Sequence, residues 1–384
     1  WNAYSNNLPD DFRHSDIPTL LSNADNFGLD KLHLLEVTNM TNDYEGNNTL
    51  GAAYFAATLP FGKFNIYAGV RYEHDKMELV SNLRDYEVSH NSRYYTYNDI
   101  FPSLNTTYKI NDKHQLRLSY GKSVNRPEFR EVSSSVYYDF DLASNVKGNP
   151  ELTPCYIHNI DLRYEFYPQR GEQITLAGFY KYFDSPIEWT YTVAGGTDLI
   201  YSYKNAKSAR NLGLELDIKK DLSFIGLRNF SLSLNGALIN SRVLFDKGSR
   251  EKNRPMQGQS PYLVNAGLFY NNEKSQLNIS LLYNRIGKRI IGVGRSEGTT
   301  GSDENARVPD SYEMPRDMID LTASKKFGRH FELRAGIRDL LAQKVTYSQF
   351  ADVVYDNGTR REVKQTTRQY KPGRNFNISA TYKF

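Results

Sequence analysis

Seven histidines carry the side chains best suited to acid–base or metal chemistry, and their spacing decides what they can do. His14, His33, His74, His90, His114, His158 and His330 are scattered, and no two form the H-x-x-x-H pair that sets two ligands on one helix face. Neither a G-x-S-x-G elbow nor a Gly-rich phosphate loop is present. Cys155 is the single cysteine and has no CxxC partner, which suits a packed small residue better than a nucleophile. Asp303, Glu304 and Asp310 in TGSDENARVPD carry the hard oxygens that Ca²⁺ prefers, but simple solvation explains them more economically. No metal, cofactor or catalytic site is assigned, and the chain reads as a non-enzyme.

Binding chemistry is better represented. Tyr137, Tyr138, Asp139 and Phe140 form an aromatic run of the kind that stacks on sugars or grips apolar ligands. Trp189 and Tyr191 make a weaker claim of the same type, because an interfacial girdle also uses such rings. Arg126 and Arg130 flank Pro127 and Glu128, where charge serves either as a ligand clamp or as one half of a rim ion pair. Downstream, Gly148 and Asn149 favour a turn, while Pro150 fixes φ and removes a donor. Asn149, Pro150, Glu151 and Leu152 are therefore expected to bend a loop back into a strand.

These residues need a scaffold, and the sequence describes one by its alternation. In NFNISATYKF, residues 375–384, Phe376, Ile378, Ala380, Tyr382 and Phe384 share one face of an extended strand, and polar residues take the other. The same period recurs about 13 times, for example at Phe64, Ile66, Ala68, Val70 and at Leu212, Leu214, Leu216, Ile218. Short turns at 60–63, 111–113, 168–171, near Gly226, 271–275 and 327–330 alternate with longer polar segments at 84–93, 125–153, 246–258, 292–314 and 347–371. That alternation is the mark of an antiparallel transmembrane β-barrel with tight periplasmic turns and long external loops.

Composition agrees. Aromatics reach 13%, with 29 Tyr and 20 Phe, and no run of 18 apolar residues offers a transmembrane helix. Mean hydropathy is only -0.63 because half of each strand and all the loops are wet. Arg71, Glu73, Arg117, Arg163, Glu165, Glu215 and Asp217 lie on the wet faces, suited to a wide, water-lined lumen. A net charge of +4 gives no case for nucleic acid. The first and last recognised strands both descend, so about 13 strands cannot close an even-numbered barrel, and upstream strands are expected.

The stretch RLSYGKSVNRPEFREVSSSVYYDFDLASNVKGNPELTPCYIHNIDLRYEFYP, residues 117–168, resembles the TonB-dependent outer-membrane receptors, especially those of Bacteroidetes. The strand ending in NRPEF, the aromatic loop and the box Asn149-Pro150-Glu151-Leu152 carry the likeness; Thr153, Pro154 and Cys155 stand where the family usually has Lys-Pro-Glu. The resemblance implies that residues 48–384 are the C-terminal part of a 22-strand barrel, with residues 1–47 an external loop segment in which DIPTLLSNADNFG holds a short helix. The plug domain and the TonB-contacting segment would lie upstream. Implied partners are outer-membrane lipid, the TonB complex, a surface lipoprotein and a small nutrient ligand. Tyr382 and Phe384 are expected to serve barrel closure and sorting. Some haem importers of the family place a His between the loop boxes; residues 126–152 contain none. Energy-coupled import of a glycan, peptide or metal chelate is the leading expectation. A passive porin or adhesin barrel is the alternative, followed by a soluble secreted glycan-binding β-protein.

Overall fold

A computed structural model describes the chain except for residues 1, 5–16, 29–32, 36–41, 85–86, 141–143, 195–197, 248, 250, 295–308 and 355–356. Its main body is one antiparallel sheet of 13 strands. In chain order these are β1 (Tyr44–Phe61), β2 (Phe64–Arg84), β3 (Glu87–Lys109), β4 (His114–Asn125), β5 (Cys155–Phe166), β6 (Gln173–Asp184) and β7 (Ser208–Asp221). They continue as β8 (Phe230–Leu244), β9 (Tyr262–Asn272), β10 (Leu277–Ile286), β11 (Asp317–Phe327), β12 (Phe331–Arg338) and β13 (Asn375–Tyr382). Each strand pairs with its sequence neighbours, and β1 and β13 form the two edges.

The short turns all close one end of this wall. Gly62, at φ 57°, lets Phe61 and Phe64 pair across a two-residue turn, a conformation that costs other residues more. At the next turn the Asn111 side chain accepts from the backbone N–H of Lys113 (2.9 Å) and His114 (3.0 Å), which reverses the chain locally. The long connections leave from the other end.

Both faces follow the alternation. Leu212, Leu214 and Leu216 stand exposed on β7, while Asn211 before them and Gly213 between them are buried. In a soluble protein such a continuous apolar surface would aggregate; on a transmembrane barrel it faces lipid. The opposite face is polar, and part of it is internally hydrogen-bonded. Asp217, Asn235, Asn265 and Asn284 form a ladder across β7–β10 at 2.5, 3.1 and 2.6 Å.

Above the wall the structure differs from the sequence expectation. Segment 84–93 is not a loop: β2 and β3 run on to pair Arg84 with Glu87, at 21 and 23 residues long. About ten residues suffice to cross a bilayer, so their upper halves project beyond it. Residues 345–354 and 360–370, expected within a loop, form a hairpin that joins strands 289–292 and 311–313 in a four-stranded sheet. Strands 187–194, 198–205, 144–147 and 136–139 make a second one. The expected helix in the N-terminal segment is present at Ile17–Ser22.

Candidate functional site

The external core lies where the projecting halves of β2 and β3 meet the loop between β4 and β5. Met77, Leu79, Val132, Val146, Leu152 and Tyr203 are buried there, with Tyr44, Tyr95, Tyr137 and Trp189 packed around them. The loop leaves β4 through Arg126, makes one helical turn at Phe129–Val132, and crosses over Gly148. A Cβ at Gly148 would sit 2.1 Å from the Ser133 carbonyl oxygen, so only glycine permits this crossing.

The Asn-Pro-Glu-Leu box fastens that loop. Asn149 donates its side-chain amide to the Tyr203 carbonyl (2.9 Å) and accepts from Glu151 N–H (3.0 Å), closing an Asx turn. Tyr95 donates to the Pro150 carbonyl (2.9 Å), Arg93 reaches Glu151 (3.0 Å), and Leu152 enters the core. Every member of the box is thus engaged in holding the loop. Cys155 is buried just beyond it, as a packed small residue.

Arg126 is enclosed. Its guanidinium lies 2.8 Å from Glu73, 2.6 Å from Asp99 and 3.2 Å from Asp75, the last without hydrogen-bond alignment. The surrounding groups are themselves paired: Arg71 with Glu73 (2.7 Å), Asn48 with Asp75 (2.8 Å) and Tyr156 with Asp99 (2.6 Å). The residue is an ion-pair hub joining β2, β3, β4 and β5.

The aromatic run divides by strand alternation. Tyr137 turns inward, with its hydroxyl 3.3 Å from that of Tyr203 and its ring 4.7 Å beneath Arg130. Tyr138 and Phe140 turn outward, 49% and 88% exposed, in an edge-to-face pair at 5.1 Å. Asp139 sits between them in the same strand, and Arg130 is exposed beside Tyr137. Trp189 packs on Tyr203 at 4.6 Å, as part of the core. Tyr191 takes its place opposite Tyr201 in the hairpin register. The structure therefore brings Tyr138 and Phe140 together at the surface, leaves Arg130 on the Tyr137 ring, and commits Tyr137, Trp189 and Arg126 to support.

Elsewhere, Asp303 and Glu304 lie outside the described residues, while Asp310 accepts from Gly294 N–H (2.6 Å). Among the described residues no cluster of His, Cys, Asp or Glu is placed to hold a metal. At the other end of the wall, Tyr382 stacks on His330 (5.9 Å) and meets Phe384 edge-on (5.3 Å), both rings exposed.

Two groups that sequence reasoning passed over stand out. Segment 245–260 folds back over the 187–205 hairpin: Arg254 pairs with buried Glu188 at 2.7 Å, and Glu251 takes Thr190 (2.5 Å), Lys204 (3.3 Å) and Ser249. Burial raises Glu188 above the usual carboxylate range against the pull of Arg254. Burial acts the same way on Glu251, but the Ser249 and Thr190 hydroxyls and Lys204 overcome it and hold the carboxyl at about 2. Beneath Met256–Gln259, on the inner face, is a recess of about 670 Å³.

The wall and its externally built loops define a class of outer-membrane receptor barrel, and the comparisons make it specific. The family described as TonB dependent receptor-like, beta-barrel matches residues 2–340, and the chain belongs to that family. Members of that family are outer-membrane proteins, which accords with the two-faced wall. The hemoglobin-haptoglobin-binding protein A of Haemophilus influenzae is 23% identical over 300 residues, covering 73% of this chain and 27% of that protein. The ferric citrate transporter FecA in its unliganded form aligns with a TM-score of 0.61 at 15% identity, over 88% of this chain and 46% of its own. A ferric enterobactin receptor of Pseudomonas aeruginosa aligns at 0.54 and 14%, over 89% and 54%. The FrpB iron transporter of Neisseria meningitidis aligns at 0.57 and 12%, over 88% and 45%. The chain spans about a quarter of its curated relative and about half of each of these solved receptors.

Proposed function

We propose that the chain is the C-terminal wall and outer platform of a receptor that binds a scarce nutrient at the cell surface and imports it with energy supplied through TonB. The ligand class is a glycan, a peptide or a metal chelate. The plug and the TonB-contacting segment belong, in this reading, to the part of the receptor that precedes residue 1. The observation that carries it is the exposed pair Tyr138 and Phe140 on a loop pinned from beneath by the Asn149–Leu152 box. Exposed rings on a rigid support lose little entropy on binding, the condition under which an aromatic surface becomes an anchor. The names of the relatives draw attention to iron-bearing cargo, whereas the lack of histidine at residues 126–152 argues against haem in this loop.

The test uses the full-length receptor in a strain deleted for its own copy. Growth is scored on ferric siderophores, haemoglobin, oligosaccharides or peptides as sole source. One of these should support growth that disappears without TonB and falls about tenfold in ligand affinity with Tyr138→Ala plus Phe140→Ala. Uptake that persists without TonB establishes the passive-porin reading instead.

A further inference from the structure

We infer that the inner wall carries a second, separate binding site, the recess beneath Met256–Gln259, built for a short peptide with free termini. The strand register places its charges. On the inner face of β6, Lys181 lies opposite Asn159 and Asn211, and Phe179 lies opposite Asp161 and Gly213; one row further, Ala177 lies opposite Arg163 and Glu215. Lys181, Asp161 and Glu215 all line the recess, while Arg163 does not. Lys181 and Glu215 make no ion pair among the described residues, and Asp161 has only a weak bond from Ser119 at 3.3 Å. Among the described residues the recess thus holds one ammonium towards the outside and two carboxylates further in, none of them in an ion pair.

Spacing selects the occupant. Two residues along a strand, from Lys181 to the Asp161 row, are about 7 Å, and four residues, to the Glu215 row, are about 13 Å. An extended tripeptide spans about 10 Å between its ends. Its carboxylate would meet Lys181 and its ammonium the inner carboxylates, so the peptide lies with its N-terminus towards the periplasm.

The remaining walls fit a peptide as well. Asn211 is only 6% exposed, and its Oδ1 is buried without a hydrogen bond, although its Nδ2 is engaged by the Met256 sulfur at 3.5 Å. Gln257 repeats the pattern: Nε2 donates to the Ile291 carbonyl (2.8 Å) and Oε1 has no partner. Both oxygens are covered, so an occupant's N–H donors would reach them only with the two side chains turned into the recess. Apolar side chains of the peptide would meet Phe179, Phe183 and Met256. Space for them depends on Gly213, where a Cβ would lie 2.3 Å from the Phe179 ring and displace it into the recess. The roof is fixed rather than loose, since Met256 N–H donates to Ser241 (3.0 Å) and Gly258 N–H to the Ile290 carbonyl (2.8 Å).

The site is tested by calorimetric titration of the full-length receptor in detergent, independently of uptake. The probes are trialanine, trialanine amide, N-acetyl-trialanine and maltotriose. Trialanine should bind about tenfold tighter than either blocked form, because each block removes one charge-assisted contact. Lys181→Gln should erase the advantage over the amide, with Lys181→Arg restoring it. Asp161→Asn with Glu215→Gln should erase the advantage over the acetylated peptide. Lys219→Gln, on the same face of β7 as Glu215 but outside the recess, should change none of these values. Heat-modifiable migration confirms that each variant is folded. Equal affinity for free and blocked peptides, tighter binding of maltotriose, or a folded Lys181→Gln variant indistinguishable from wild type overturns the proposal.

Discussion

At the residue scale the most consequential side chain is Arg126, and its role was half legible. Its position beside a proline at a strand end marks it as a rim charge, but its partners Glu73, Asp75 and Asp99 lie 27–53 residues away and only pairing registers bring them together. The aromatic run behaves likewise. Its composition announces a binding loop, but which rings face out depends on the parity of one short strand, residues 136–139. Replacing Arg126 removes the countercharge from three carboxylates that remain close. Arg126→Ala should therefore lower stability by on the order of 3 kcal/mol, as breaking a buried pair does. Thermal unfolding of the full-length receptor in detergent measures it, and an unchanged unfolding midpoint removes the hub interpretation.

At the scale of elements, the 13 wall strands were legible because lipid on one side and water on the other enforce a period of two. The strands outside the membrane were not. Residues 360–370 read RREVKQTTRQY, exposed along their length, and carry no alternation that burial would impose. The stretch 84–93, RDYEVSHNSR, carries no regular apolar alternation in the sequence either. What holds these outer elements is specific pairing, and segment 245–260 shows how it depends on pH. Glu251 is held below its ordinary value near 4.5, so its contribution is present above that pH and is lost as pH falls towards 2. Arg254 is the stronger fastening, because it neutralises Glu188 in the interior. At pH 7.5 Arg254→Ala should open Lys247 and Lys252 to trypsin several-fold faster while leaving the wall heat-modifiable, with Glu251→Gln having the smaller effect. Unchanged cleavage in Arg254→Ala would mean that the segment is held by its backbone contacts alone.

At the scale of the molecule, β1 and β13 each have one neighbour in the sheet, and both run towards the short-turn end. Unpaired strand edges are not tolerated in hydrocarbon, so the wall must be continued by further strands before it can stand in a bilayer. The solved receptors it resembles, each about twice its length, supply the natural template for that continuation. The two faces then have opposite requirements. Leu214 is 59% exposed and would meet lipid, whereas Glu215 looks into the lumen beside the inner recess. A charge at Leu214 must be pulled into hydrocarbon, at a cost of about 2–4 kcal/mol near the bilayer midplane, while an amide at Glu215 stays in water. In the full-length receptor, Leu214→Arg should thus reduce the amount of folded, heat-modifiable protein in the outer membrane, and Glu215→Gln should leave it unchanged. Moving the arginine to exposed Leu238, the partner of Leu214 on β8, should have the same effect, since the two side chains share one face. If both faces accept arginine equally, the apolar surface of this sheet is not in contact with lipid.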